Sequence, residues 1–212
     1  MFGIHHFTAF VVAGLLLNIT PGPDMIYIAG RTASQGLKSG IAAILGICSG
    51  CLVHTVAAAF GLSAVLQTSA AAFMVVKLIG AAYLVYVGLS LLREKSAKAL
   101  DIDATLPSAS VSRIFGQGFL TNVLNPKVAL FYLAFLPQFI DVDSPDKTLA
   151  FLVLGLVFIF NSLIVTIGFA WLVATARRRV RASSSVVLWL NRGCGALFLA
   201  VGIKLALTER PA

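Results

Sequence analysis

Charge is what this chain has least of. Asp, Glu, Lys and Arg make up 11% of its residues, against roughly 25% in a soluble domain, and none occurs from Ser39 to Val76. A composition of this kind cannot cover a water-facing globule, which excludes a separate soluble domain. The P-loop pattern G-x-x-x-x-G-K-[ST] is missing, so the chain does not draw on bound nucleotide. Neither H-E-x-x-H nor G-x-S-x-G occurs, which argues against an intramembrane enzyme. Cysteine is scarce. Cys48, Cys51 and Cys194 all fall in apolar segments and make no disulfide scaffold. No cluster of His, Cys and carboxylate offers a ligand set, so neither metal nor cofactor is expected. Despite a formal charge of +8, no RNA-binding or helix-turn-helix signature is found, and nucleic acid is not an expected partner.

The chain does have long apolar runs, and 59% of it is hydrophobic. A spanning helix needs about 20 apolar residues, because the hydrocarbon core is about 30 Å thick and each residue rises about 1.5 Å. Runs of that length predict transmembrane helices near 7–29, 40–61, 69–92, 115–137, 149–175 and 187–207. The expected fold is therefore an all-α membrane protein with six transmembrane helices. Met1 to Asn18 has no Lys or Arg, and Thr20-Pro21-Gly22-Pro23 follows in place of a small-residue cleavage site. It reads as a retained first helix and not as a signal peptide.

The basic residues are unevenly shared. Connections 30–39, 93–114 and 176–185 hold two, four and four Lys or Arg, whereas the N-terminus, 62–68, 138–148 and the tail hold only Lys147 and Arg210. The positive-inside rule puts the first group in the cytoplasm, and six spans then leave both termini in the periplasm.

The two halves rhyme. Gly14-Leu-Leu-Leu-Asn18-Ile-Thr-Pro21 parallels Gly118-Phe-Leu-Thr-Asn122-Val-Leu-Asn125-Pro126, and Gly80-Ala-Ala-Tyr-Leu-Val parallels Gly195-Ala-Leu-Phe-Leu-Ala. This predicts a first three-helix repeat over 1–95, a cytoplasmic linker over 96–113 and a second three-helix repeat over 114–212. Three spans per half would make the repeats inverted, with spans one and four broken, a common basis for alternating access.

The expected breaks carry the chemistry. Proline lacks the amide of a helical hydrogen bond and its ring clashes with the preceding turn, so Pro21, Gly22 and Pro23 should open the first span and Pro126 the fourth. Such backbone is tolerated at membrane depth where protein or a water-filled cavity satisfies it. Thr20-Pro21 and Asn125-Pro126 also look like fresh helix starts, a capping residue followed by proline. A new helix N-terminus carries free amides and a positive dipole end that suit a carboxylate, and Lys127 adds a full charge there. Of the eight acidic residues Asp24 alone lies within an expected span, and intramembrane carboxylates usually face a cavity and mark ion or proton routes. Its bland role would be to stabilise the helix start. Asn18, Asn122 and Asn125 join Asp24 and Lys127 as candidate solute or proton ligands.

Other polar residues fit two roles each. Lys77 and Arg192 occupy related places in the two halves, as a cationic lining of the path or as side chains that snorkel to a headgroup. His54 fits a proton relay or a hydrogen bond to a neighbouring carbonyl. Asn161 fits a ligand or interhelical glue. Cys48-Ser-Gly-Cys51 overlaps Gly46-x-x-x-Gly50 and reads as small-residue packing ahead of redox chemistry.

Asn18-Ile-Thr-Pro21-Gly22-Pro23-Asp24, the Gly-rich continuation to Gly50, Lys77-Leu-Ile-Gly80-Ala-Ala-Tyr-Leu-Val-Tyr-Val-Gly88 and Gly118-Phe-Leu-Thr-Asn122-Val-Leu-Asn125-Pro126-Lys127 together resemble the lysine exporter (LysE/RhtB) family. The resemblance covers nearly the whole chain. It implies a bacterial inner-membrane exporter, with amino acids or derivatives such as homoserine, its lactone, threonine, leucine or lysine as solutes. The wider superfamily includes thiol–disulfide carriers with a cysteine in equivalent spans of both halves, and Cys48, Cys51 and Cys194 do not stand at equivalent positions. A non-transport assembly protein is the other alternative, yet it would not need an intramembrane acid. Expected partners are an amino-acid solute, protons as the coupling ion and membrane lipids; a homo-oligomer is compatible with the pattern.

Overall fold

Pro21 and Pro23 divide the first apolar run into α1 (Phe7–Ile19) and α2 (Pro23–Gln35), whose axes bend by 52°. The structure, a computed structural model, describes residues 2–64, 70–93, 106–141, 144–176 and 184–207. Gly36 then turns the chain at φ +83°, a region that favours glycine, into α3 (Leu37–Val56), which continues as a wider π-helical turn to Leu62. Beyond it lie α4 (Ala70–Arg93) and α5 (Val111–Val123), the latter capped by the Ser110 hydroxyl, which accepts from the Arg113 amide. Pro126 opens α6 (Pro126–Leu130), which runs on through π and 3-10 turns to Phe139, and this segment is bent by 47° from α5. The remaining helices are α7 (Lys147–Ala176) and α8 (Ser184–Leu207).

Helix packing follows the small residues. The widest contact is between α3 and α5, the next between α4 and α8. A methyl group added at Gly46 would strike the Phe115 carbonyl, and one at Gly50 would lie 2.8 Å from Asn122 Cβ, so these glycines let the α3 backbone approach α5 directly. Gly88 and Gly195 do the same for α4 and α8, each within 2.8 Å of the other's carbonyl oxygen once a Cβ is built. An aromatic cluster joins α1, the segment after Pro126 and α7. Phe10, Phe131, Phe135 and Phe139 are buried against one another, and the Phe158 ring of α7 stands 4.6 Å from that of Phe131. Large apolar side chains also face outward at helical spacing: Leu45, Leu52 and Val56 on α3, and Leu156, Phe160, Ile164, Ile167 and Trp171 on α7. Water would penalise such stripes, whereas lipid tails solvate them.

The expectation of six spans requires correction. Among the described residues two helices, Leu37–Leu62 and Lys147–Thr175, are long and apolar enough to cross a membrane, and the two bent pairs raise the number to four at most. In α4 the described apolar stretch is Leu78–Arg93, shorter than the ~20 residues a crossing requires. Helix α8 carries Asn191, Arg192 and Lys204 along its length, which shortens its uninterrupted apolar run. The two inverted three-helix repeats drawn from a count of six are corrected with it. Both expected helix breaks are present.

Candidate functional site

The breaks lie against each other. At the end of α1, Thr20 folds its hydroxyl back to the Leu16 carbonyl at 2.7 Å, and its amide bonds the same oxygen at 3.0 Å. Extended residues Thr20 and Gly22 flank Pro21 before Pro23 starts α2, which places Asp24 in the first turn of the new helix. There the carboxylate faces the positive end of the α2 dipole. On the other side Asn125 caps α6, accepting the Lys127 amide at 3.0 Å. This is the local rule expected of Asn-Pro, a capping side chain followed by a proline whose missing amide costs nothing at the first turn.

Two long-range contacts stitch the breaks together. Asn122 Nδ2 donates to Asp24 Oδ2 at 2.8 Å. Lys127 Nζ donates to the Leu17 and Thr20 carbonyls at 3.2 and 3.0 Å. Those are carbonyls at the C-terminal end of α1, which the broken helix leaves without amide partners and with partial negative charge. Lys127 therefore has a task that its position next to Pro126 did not reveal, as a cap of the opposite half.

A cavity of about 40 Å3 opens between the breaks, lined by Asn18, Asp24, Asn122, Asn125 and Lys127 with Gly22, Thr20 and apolar neighbours. At about 10–15 Å3 per water it has room for a few molecules of that size. Three of its polar atoms are buried with no hydrogen-bond partner: Asn18 Nδ2, Asp24 Oδ1 and Asn122 Oδ1. Burying such atoms unpaired costs ~1–3 kcal/mol each, so their convergence on one cavity calls for a polar occupant.

Most of the residues named from sequence meet here, and some do not. Asn18, Asp24, Asn122, Asn125, Lys127 and Gly22 line the cavity, while Pro21, Pro23 and Pro126 shape the breaks without lining it. The side chains of Lys77 and Cys194 lie outside the described residues, as does most of the linker, 94–105. Arg192 does not line the cavity and sits with its guanidinium over the Trp189 ring at 5.5 Å. His54 lies within 3.2 Å of the Asn122 carbonyl and stacks on Tyr132, the bland one of its two readings. Asn161 on α7 sits beside Gly14 and does not line the cavity. Among the lining residues, Cys51 reads from the sequence as packing, and the polar ones with no signal assigned are Ser162 and Thr166. The signal for the last two is present, since Ser162 and Thr166 are four apart and thus on one face of a mostly apolar helix.

Two bent helix pairs close on a polar cavity, inside a fold with lipid-facing stripes, and the class of the protein, a membrane transporter of small molecules, follows from its relatives. The LysE type translocator model matches residues 15–209. The chain is 32% identical over 203 residues to an uncharacterized membrane protein of Vibrio cholerae, covering 96% of this chain and 97% of that one. Over 198 residues it is 30% identical to the homoserine/homoserine lactone efflux protein of Salmonella typhimurium, covering 93% and 94% respectively. No solved structure matches. The chain belongs to the LysE type translocator family, and it is a transport protein and not an enzyme.

Proposed function

We propose that the chain exports amino acids or close derivatives across the inner membrane of a bacterium, with homoserine, its lactone and threonine, or leucine and lysine, as the solute kinds. The observation that carries this reading is the convergence of Asp24 Oδ1, Asn122 Oδ1 and Asn18 Nδ2, all unpartnered, with the Lys127 ammonium on one cavity. The acceptors suit an ammonium group and the donors suit a carboxylate, so the two poles of the cavity match the two poles of an amino acid. The efflux function named for the Salmonella relative supports the same class. A cavity with room for a few waters must widen to take such a solute, and the two breaks are the natural hinges, because extended backbone there is not held by helical hydrogen bonds.

Export needs a source of free energy, and with no nucleotide loop the simplest source is a proton gradient. Asp24 is the carboxylate of the cavity. It alternates between pairing with the solute ammonium and carrying a proton, so that solute and proton compete for one group and their movements are linked. The end of the molecule that holds Arg31, Lys38 and Arg113 faces the cytoplasm. The opposite end, where His5 bonds the Phe139 carbonyl and Ser144 the Phe2 carbonyl, faces the periplasm with the N-terminus; the C-terminal residues 208–212 lie outside the described residues.

Vesicles containing the purified chain and loaded with labelled homoserine provide the test. Release should accelerate when protons are supplied outside, and the Asp24→Asn variant should not respond to them. An identical response in both would remove Asp24 from the coupling.

A further inference from the structure

Asp24 is not the only charge on the inner face of α2. Arg31 follows it after seven residues, two turns along the same face, and is 6% exposed. Its hydrogen bonds all go to neutral acceptors: Nη1 to the Pro107 carbonyl at 3.0 Å and Gln35 Oε1 at 3.2 Å, Nη2 to Gln117 Oε1 at 2.7 Å. The Tyr27 ring lies 5.6 Å away, and Nε is buried without a partner. Among the described residues no carboxylate pairs with it, the single ion pair there being His5 with Asp141.

Buried charges are normally paired, because desolvation costs more than neutral dipoles return. Two of the three acceptors are also shared. Gln117 Oε1 takes the Tyr27 hydroxyl at 3.2 Å as well, and Gln35 Oε1 takes the Ala109 amide at 3.1 Å. The guanidinium fork fits a carboxylate in a bidentate manner that none of these oxygens can supply. What closes the place over is a short strap. Leu106 bonds the Ser34 hydroxyl through its amide at 2.9 Å, its side chain lies against Gly30, and the Ala109 carbonyl accepts from Gln35 Nε2 at 2.9 Å. The strap joins α5 and follows the linker that carries Lys98, Asp101 and Asp103, at the end of the molecule opposite the N-terminus.

We infer that Arg31 is a carboxylate-binding site at the inner mouth of the transport path, where a solute carboxylate replaces the Pro107 and Gln117 oxygens before the solute moves along the α2–α5 seam to Asp24. Polar contacts recur along that seam beside the buried Ile28 and Ile114, with Arg31 on Gln117, Tyr27 on the Ile114 carbonyl at 2.9 Å, and Asn122 on Asp24. This inference rests on the reading of the chain as an amino-acid exporter. An anionic lipid headgroup would present similar chemistry, so the test separates the two.

The full chain is reconstituted in phosphatidylcholine vesicles, with and without phosphatidylglycerol, and the transport of homoserine is compared with that of homoserine lactone, which has no free carboxylate. Arg31→Gln should raise the homoserine KM about tenfold or more, the size expected on losing a charge-assisted bidentate pair, with little change in maximal rate. The lactone KM should stay within about twofold, and Arg31→Lys, which keeps the charge but not the fork, should fall between. Equal losses for both solutes, or a lowered melting temperature with KM unchanged, would make Arg31 a structural staple and overturn the inference. An effect confined to vesicles containing phosphatidylglycerol would assign the site to lipid and overturn it too. If the wild type carries homoserine alone, the ordering of Gln, Lys and wild-type KM values decides. If it carries neither, the same variants are compared on threonine, leucine and lysine, and carriage of none of these sinks the exporter reading and this inference with it.

Discussion

Asn122 and Asp24, 98 residues apart in the chain, are joined by a hydrogen bond of 2.8 Å from amide nitrogen to carboxylate oxygen. The bond ties the α1–α2 break to the helix before the second break. It uses one oxygen of the carboxylate and leaves the other, with the Asn122 side-chain oxygen, turned to the cavity without partners. The same two residues thus hold the two breaks together and, in the proposed function, offer acceptors to a solute, and each role can be removed separately.

Asp24→Asn keeps the shape and a polar group but loses the titratable charge. The variant should reach the membrane at wild-type abundance and lose the response of export to external pH, which initial efflux rates across a pH series would read. Asp24→Ala should in addition lower thermal stability by about 1–3 kcal/mol, since Asn122 Nδ2 would be left unpaired in a buried place.

Lys127→Met removes the donor to the Leu17 and Thr20 carbonyls. The purified variant should melt at lower temperature, by an amount corresponding to about 1–3 kcal/mol, and bind solute less tightly. Lys127→Arg should recover most of the stability. Thermal unfolding in detergent with and without solute separates the two effects, because a cap alone would shift both curves equally.

The α3–α5 contact depends on the absence of side chains. Gly46→Ala must push the Phe115 carbonyl away and should destabilise the chain by about 1–3 kcal/mol, the usual penalty of overpacking. Gly116→Ala on α5 meets nothing within 4 Å and should be neutral or slightly stabilising, as alanine favours helix over glycine by about 1 kcal/mol. Melting curves of the two variants give the comparison.

The parts of the site legible in the sequence were those governed by local rules. Proline positions fixed the breaks, Asn125 announced a cap, and a lone intramembrane acid pointed to Asp24. What stayed hidden depends on which helices meet. The sequence cannot say that the Lys127 side chain reaches back to carbonyls of α1, nor that Ser162 and Thr166 of α7 turn toward the same cavity. Arg31 stands at the end of an apolar run and reads in the sequence as a loop charge; its burial depends on residues 106–117 folding over it. The span count erred for a different reason. Composition shows that a run is apolar but not how it packs, and α4 and α8, which pack chiefly on each other, do not offer among the described residues the uninterrupted length of Leu37–Leu62 or Lys147–Thr175.

Orientation has a direct check. Single cysteines placed at Lys38 and at Asp141 in a cysteine-free background should react with an impermeant maleimide from opposite sides of the membrane, Asp141→Cys from outside in intact cells and Lys38→Cys only after the cells are opened. Labelling of both from the same side would contradict the arrangement of the two ends.

The central claim, that this transporter carries amino acids outward, is tested most directly by measuring which solutes leave loaded cells. Cells holding a mixture of labelled amino acids and homoserine lactone, with and without the chain at known membrane abundance, are followed for release of each solute. The account predicts that one or a few of them leave faster when the chain is present, and that Asp24→Asn at equal abundance removes the pH dependence of that release. Unchanged release of every amino acid and derivative, from cells in which the folded chain is present, would contradict it.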